Sequence, residues 1–352
     1  MSSATAEKNL VLMSQDEVME RLVLPQGLKA TPIKVGTRPR IIKDGEGYVV
    51  QLNRKDYMPL NTVEGRDSLM AFAGIPKGLS SGTPEKLIMP VLEHQLAKLD
   101  RVVAISDDAN GLLRLQKAED LAPVLEPAQV LEHLYQQFPE VLYQRAERGE
   151  NYGFDLLAIT HNQVNRLEEL VQPGQHKFLP RGGDPFRAGV HLRFSPIGTV
   201  APLIEPYVVR LMCTNGMVAA QFLNGWGKGY GDGNELWAWF QEGMAQAGQS
   251  IGVIMGQYAS LVGEALPDGE GRMLAIEGAI RETRLTRELA DTARGMAIAN
   301  PPQTHYDLLN ILTSVATHHT KTFGEQLRRM GDAGRMADPA NHTQYCRTCH
   351  RN

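Results

Sequence analysis

The 352-residue sequence predicts an α+β fold, with an antiparallel, hairpin-rich sheet in the N-terminal and central part and a helical C-terminal part. Three observations predict it. β-Branched runs broken by Asp, Asn and Gly turns recur as far as residue 216. Beyond residue 234 the apolar residues recur at helical spacing instead. Strands and helices do not alternate, and no fixed-period repeat is visible, so a regular βαβ layout is excluded.

The elements follow in order. A short helix is expected at residues 15–22, then a hairpin in which Ile41-Ile42-Lys43 and residues 48–52 flank Asp44-Gly45-Glu46-Gly47. Thr83-Pro84-Glu85 starts a helix: a capping hydroxyl, a proline at the first position and an acid in the first turn. Leu87, Val91 and Leu99 are expected to face its core, and Pro90 to kink or restart it. Residues 101–106 and 112–116 form a second hairpin, and Val130, Leu131, Leu134 and Phe138 mark a helix ending at Pro139. Residues 141–145 and 154–160 make a third hairpin, and the Gly- and Pro-rich span 172–189 an irregular connection. Sheet resumes over 189–222, and helices are expected at 235–247, 251–264, 272–299 and 305–319. In the helix at 272–299, Glu277 with Arg281, Arg284 with Glu288 and Arg287 with Asp291 are opposite charges four apart, the mark of a solvated face. Four regions result: 1–125, hairpin-rich; 126–225, central sheet; 226–320, helical; and 321–352, a basic tail with a Cys/His cluster.

Composition narrows the class. Hydrophobic residues at 42% and charged residues at 22% are near globular averages, which excludes wholesale disorder. Lys plus Arg is 36 against 40 Asp plus Glu, a formal charge of −4, so a globally basic nucleic-acid binder is disfavoured while a local basic face is not. Three cysteines cannot build a disulfide framework. With no signal-like N-terminus and no long apolar stretch, the expectation is a cytoplasmic protein of a bacterial host cell, without a membrane partner.

Three local features carry chemistry. Residues 177–210 hold Lys177, Arg181, Arg187, Arg193 and Arg210 against only Asp184 and Glu205. Over 189–195, His191, Arg193 and Ser195 alternate with Val190, Leu192 and Phe194, so the polar set shares one sheet face. That face is either an ordinary solvated one or a basic surface that tracks a nucleic-acid backbone. The glycine-rich run 225–233 sets Trp226, Lys228 and Tyr230 between glycines. It reads as a surface loop, or as a place where bases stack and phosphates meet a cation. In the tail, His342, Cys346, Cys349 and His350 have part of the spacing of a zinc site, with a frayed terminus as the alternative. The adjacent His318 and His319 diverge on a helix and read as surface residues, and Asp155 and Glu205 have no evident reason to meet.

The run 189–198, followed by Val209-Arg210-Leu211-Met212-Cys213-Thr214-Asn215-Gly216, resembles the phage- and plasmid-related family known as domain of unknown function 932. In that family a strand of the form G-V-x-L-x-N-S precedes R-x-x-C-x-N-G; here Phe194-Ser195 departs from the Asn-Ser pair. Residues 304–313 resemble its closing helix. Independently of the family, Asn215 and Gly216 tolerate positive φ and predict a tight reversal, with Cys213 a buried packing residue beside it. The resemblance implies a role in the DNA metabolism of mobile elements, in outline like phage single-strand annealing proteins.

The expected function is therefore non-enzymatic binding of single-stranded DNA by a homo-oligomer. Lys177, Arg181, Arg187, His191, Arg193, Arg210, Trp226, Lys228 and Tyr230 are its candidate contacts. Two alternatives stand beside it. One is a structural protein acting through contacts with a host or phage protein; the other is an enzyme dependent on zinc at the C-terminal Cys/His group, the one cofactor the sequence suggests.

Overall fold

A computed structural model describes residues 11–45, 47–60, 63–72, 74–75, 85–117, 122–179, 184–211, 216–218, 224–225 and 233–336. The chain begins with α1 (Gln15–Arg21), β1 (Lys29–Lys34), β2 (Arg40–Asp44), β3 (Gly47–Gln51), β4 (Tyr57–Leu60), α2 (Val63–Phe72) and α3 (Glu85–Ala97). It continues through β5 (Arg101–Asp107), β6 (Gly111–Lys117), α4 (Pro127–Gln137), β7 (Leu142–Arg148), β8 (Phe154–Arg166), β9 (Pro185–Phe194), β10 (Leu203–Arg210), β11 (Gly216–Val218) and β12 (Asn224–Gly225). Five helices close it: α5 (Gly233–Gly263), α6 (Glu270–Glu282), α7 (Arg287–Ala299), α8 (His305–His318) and α9 (Phe323–Arg335). The fold is α+β, with antiparallel sheets first and helices last. Two compact units divide it, one of residues 23–125 with 195–201 and one of the remainder.

The smaller unit is a six-stranded antiparallel sheet in the order β1-β5-β6-β4-β3-β2. One face is closed by α2 and α3, whose Leu69, Met70, Ile88, Leu92 and Leu96 pack on Val50, Leu52, Val102, Ala104 and Leu112. The inward stripe of α3 lies one residue beyond the expected one. Leu87 and Val91 are 58% and 44% exposed, while Ile88, Leu92 and Leu96 are buried. Both sets recur every four residues, so spacing alone could not choose between them; the sheet beneath did. Pro90 lies inside the helix on its exposed side, where the Lys86 carbonyl it leaves without a helical partner is open to water. Leu99, past the helix end, packs partly on the same core.

The larger unit is built on the strand path β11-β10-β9-β8-β7, with β12 also paired to β10. On one face Phe186, Ala188 and Val208 meet Ile254 and Tyr258 of α5 and the apolar sides of α6 to α8. On the other, Leu157, Ile159, Tyr207 and Val209 meet Ala316, Phe323, Leu327 and Met330 of α8 and α9. Gly189 makes the sheet close at its centre: a Cβ there would stand 2.0 Å from the carbonyl oxygen of Ala158, next to a bulge in β8. The β7–β8 turn holds Asn151 and Tyr152 at φ 58° and 60°, a left-handed pair that costs backbone energy.

The helical part differs from expectation at three points. Residues 233–263 are one helix, not two. The helix expected at 272–299 breaks at Thr283–Thr286, where Arg284 takes φ 48° and Thr286 caps α7. Arg294 pairs across the break with Glu277 at 2.6 and 2.8 Å, and within α7 it donates to Asp291 at 2.8 Å. Residues 323–335, read as basic tail, form α9, capped by Thr322 and anchored by Phe323, Leu327 and Met330. No helix among the described residues is long and apolar enough to cross a membrane.

Candidate functional site

β9 is the middle strand of the larger unit's sheet, and its polar row is buried, contrary to a solvated or strand-tracking face. His191 is 1% exposed. Its register neighbours are Leu157 on β8 and Glu205 on β10, and Asp155 lies opposite Arg193. Nδ1 of His191 is 2.7 Å from Glu205 Oε2 and Nε2 is 2.9 Å from Asp155 Oδ1. Carboxylate oxygens only accept, so both ring nitrogens carry protons and the ring is an imidazolium. Burial alone would depress its pKa, but the bonds and charges of Asp155 and Glu205 outweigh burial and lift it to about 9. Burial likewise raises the Asp155 carboxyl, yet His191 and Arg193 hold it below its usual range. Arg193 donates from Nε to Asp155 at 2.8 Å. Gly149 leaves room for this carboxylate, since a Cβ there would stand 2.4 Å from Asp155 Oδ2. Asp155 and Glu205, which sequence gave no reason to join, are thus joined by the histidine between them.

A second set closes around Asp184, which is fully buried at the start of β9. Arg210 Nε donates to its Oδ1 at 2.5 Å, and the Tyr306 hydroxyl donates to Oδ2. Its own N–H donates to Glu168 Oε2 at 3.0 Å. Burial raises the Asp184 pKa, and Arg210 offsets only part of that rise. The Arg210 guanidinium lies 5.7 Å from the centre of the Tyr306 ring, which meets Tyr258 edge-on at 6.1 Å. Two stretches singled out in the sequence, Arg210 on β10 and Tyr306 on α8, therefore meet on one carboxylate 26 and 122 residues away.

These two sets take up two of the central cations. Arg193 and Arg210 serve buried acids, Arg187 is half-buried on β9, and Lys177 is exposed in a helical turn at Pro173–Phe178. Gly216 opens β11 opposite Val209. Arg181, Cys213, Asn215, Trp226, Lys228, Tyr230, His342, Cys346, Cys349 and His350 lie outside the described residues. His318 and His319 are both exposed.

The exposed positive charge stands elsewhere, on the smaller unit. Residues 29–56 hold seven Lys/Arg against three acids, a density visible in the sequence but overshadowed by the count at 177–210. The β1–β2 and β3–β4 connections lie side by side, because Gly36 N–H donates to Leu52 O and Asn53 Nδ2 to Lys34 O, each at 2.8 Å. Asn53 Oδ1 accepts from the N–H groups of Lys55 and Asp56, an Asx turn that puts Arg54 and Lys55 at the tip. Lys34, Arg38, Arg40, Arg54 and Lys55 are all exposed, and no ion pair joins them to a described carboxylate. Asp56, the acid beside them, is held by Asn53 Nδ2 at 2.5 Å.

Comparison with protein-family models, curated proteins and solved structures finds no match to this chain.

Proposed function

We propose that this chain is a non-enzymatic protein that binds single-stranded nucleic acid, acting in the DNA metabolism of a mobile element. One observation carries the reading: the gathering of Lys34, Arg38, Arg40, Arg54 and Lys55, exposed together where adjacent strand connections meet. Like charges at one rim repel each other, so a rim of this kind gains stability from a polyanion that releases counterions on binding. Arg193 and Arg210, half-buried on the larger unit, have carboxylate partners and are not part of this surface. Assembly of copies along one strand would add the modest charge of each.

The test is fluorescence anisotropy of a labelled oligothymidylate against ionic strength. Binding should weaken with salt by a log–log slope of about −0.7 for each phosphate contacted. The triple variant R38E/R54E/K55E should lose most of the affinity and make the slope shallower. No binding by the native chain at low ionic strength defeats the reading.

A further inference from the structure

Among the described residues, helices pack on one face of the smaller unit's sheet over β2, β3 and β4, and residues on the opposite face there are half-buried or exposed. Register and burial place its residues. Val50 is buried on the helix side with Ile41 and Met58, its partners on β2 and β4. Strand alternation then puts Arg40, Ile42, Val49, Gln51, Tyr57 and Pro59 on the other side. Cross-strand pairing orders them into two rows, Arg40–Gln51–Tyr57 and Ile42–Val49–Pro59. Tyr57 is 55% exposed and Ile42 42% exposed.

We infer that this face is the platform on which bases of a single strand lie, with Tyr57 as the stacking residue; this rests on the function proposed above. The Tyr57 hydroxyl accepts a hydrogen bond from Gln51 Nε2 at 2.8 Å, which sets the ring from its polar end and leaves its π-face to a ligand. The second row is apolar and suits the flat surface of a neighbouring base. The cations lie at the strand ends beside the first row: Arg40 begins that row, and Arg54 and Lys55 stand in the β3–β4 connection three and two residues before Tyr57, with the Asn53-bound Asp56 between. A strand can therefore run its phosphates along that rim while its bases turn onto the face. Asp44, the acid on β2, stands at the far end of that strand, beyond Ile42. A duplex presents phosphates but keeps its bases stacked inside, so it can use the rim and not the face. A peptide strand would pair with the edge of β2, and neither the rim charge nor the exposed ring is needed for that.

The experiment compares the native chain with Y57A, Y57F and R54E/K55E, measuring anisotropy with an oligothymidylate and with a duplex of equal length. A base–aromatic stack corresponds to a loss of about 5-fold or more on removing the ring. Y57A should lose that much on the single strand and leave duplex binding unchanged. Y57F keeps the ring and should stay within about twofold, which also controls for folding, as do the circular dichroism melts of each variant. An oligonucleotide carrying 2-aminopurine should change its fluorescence on binding the native chain and not on binding Y57A. If R54E/K55E abolishes binding while Y57A matches the native chain, or if Y57A weakens single strand and duplex equally, the platform is overturned and the charge-based function stands. If the native chain binds neither probe, the function falls and the platform with it.

Discussion

Replacing His191 by glutamine tests the buried network of the larger unit through its pH dependence. In the folded chain the imidazolium is held between Asp155 and Glu205, and its pKa stands at about 9 against the ordinary 6.5 of a free histidine. The difference amounts to about 3 kcal/mol of stability. Its sign follows from the direction of the shift. The folded pKa is raised, so the contribution is fully present below 6.5 and is lost as pH rises through about 9. Above that point a neutral ring has one N–H to offer, and one buried carboxylate then faces a lone pair. For a unit of this size the loss corresponds to a fall of about 6–12 °C in melting temperature. Glutamine cannot supply two donors in opposite directions. H191Q should therefore melt well below the native chain at pH 6 and approach it at pH 9.5. Differential scanning fluorimetry of both across that range is sufficient, because groups common to both cancel in the difference. Parallel curves would refute the reasoning, since they would mean that the histidine takes up no proton on folding.

Other consequences follow from the same contacts. Tyr306→Phe removes a hydroxyl from the fully buried Asp184 and should lower stability by about 1–3 kcal/mol, read as a shift in urea midpoint without a change in slope. Gly189→Ala places a methyl against the Ala158 carbonyl, where backbone rather than a side chain must give way. It should cost about 4 kcal/mol or more, measured by loss of soluble yield and of cooperative melting. The Asp155 carboxyl, whose folded pKa is depressed, stabilises the chain above its ordinary range and ceases to do so on acidification. D155N should accordingly flatten the acid limb of the stability profile.

Local chemistry was legible wherever it acts through neighbours in the chain. The turns at 44–47 and 107–111 predicted their hairpins because Asp and Gly there supply the needed backbone freedom. The helix expected at 305–319 starts where expected, and there the Thr304 side chain caps the Asp307 N–H at 3.2 Å. What failed was the assignment of partners. Alternation in β9 showed that His191 and Arg193 share a face, but alternation is symmetric about the sheet and says nothing of what lies on either side. The acids that occupy them come from 36, 14 and 38 residues away, on adjoining strands. A charge count over 177–210 therefore marked as available cations that the fold had already matched.

The amino-acid sequence by itself determined the α+β class, most element positions and the presence of a polar row on β9. These depend on dihedral preference, capping and periodicity, all of which operate within a few residues. Only the tertiary structure decided which face of α3 is buried, that Asp155, His191 and Glu205 form one set, and that Arg210 and Tyr306 meet on Asp184. It also showed a cluster of exposed cations at the connections around Lys34 and Arg54. The physical reason is that burial and charge pairing depend on register between strands distant in sequence, where a shift of one residue turns every side chain to the opposite face.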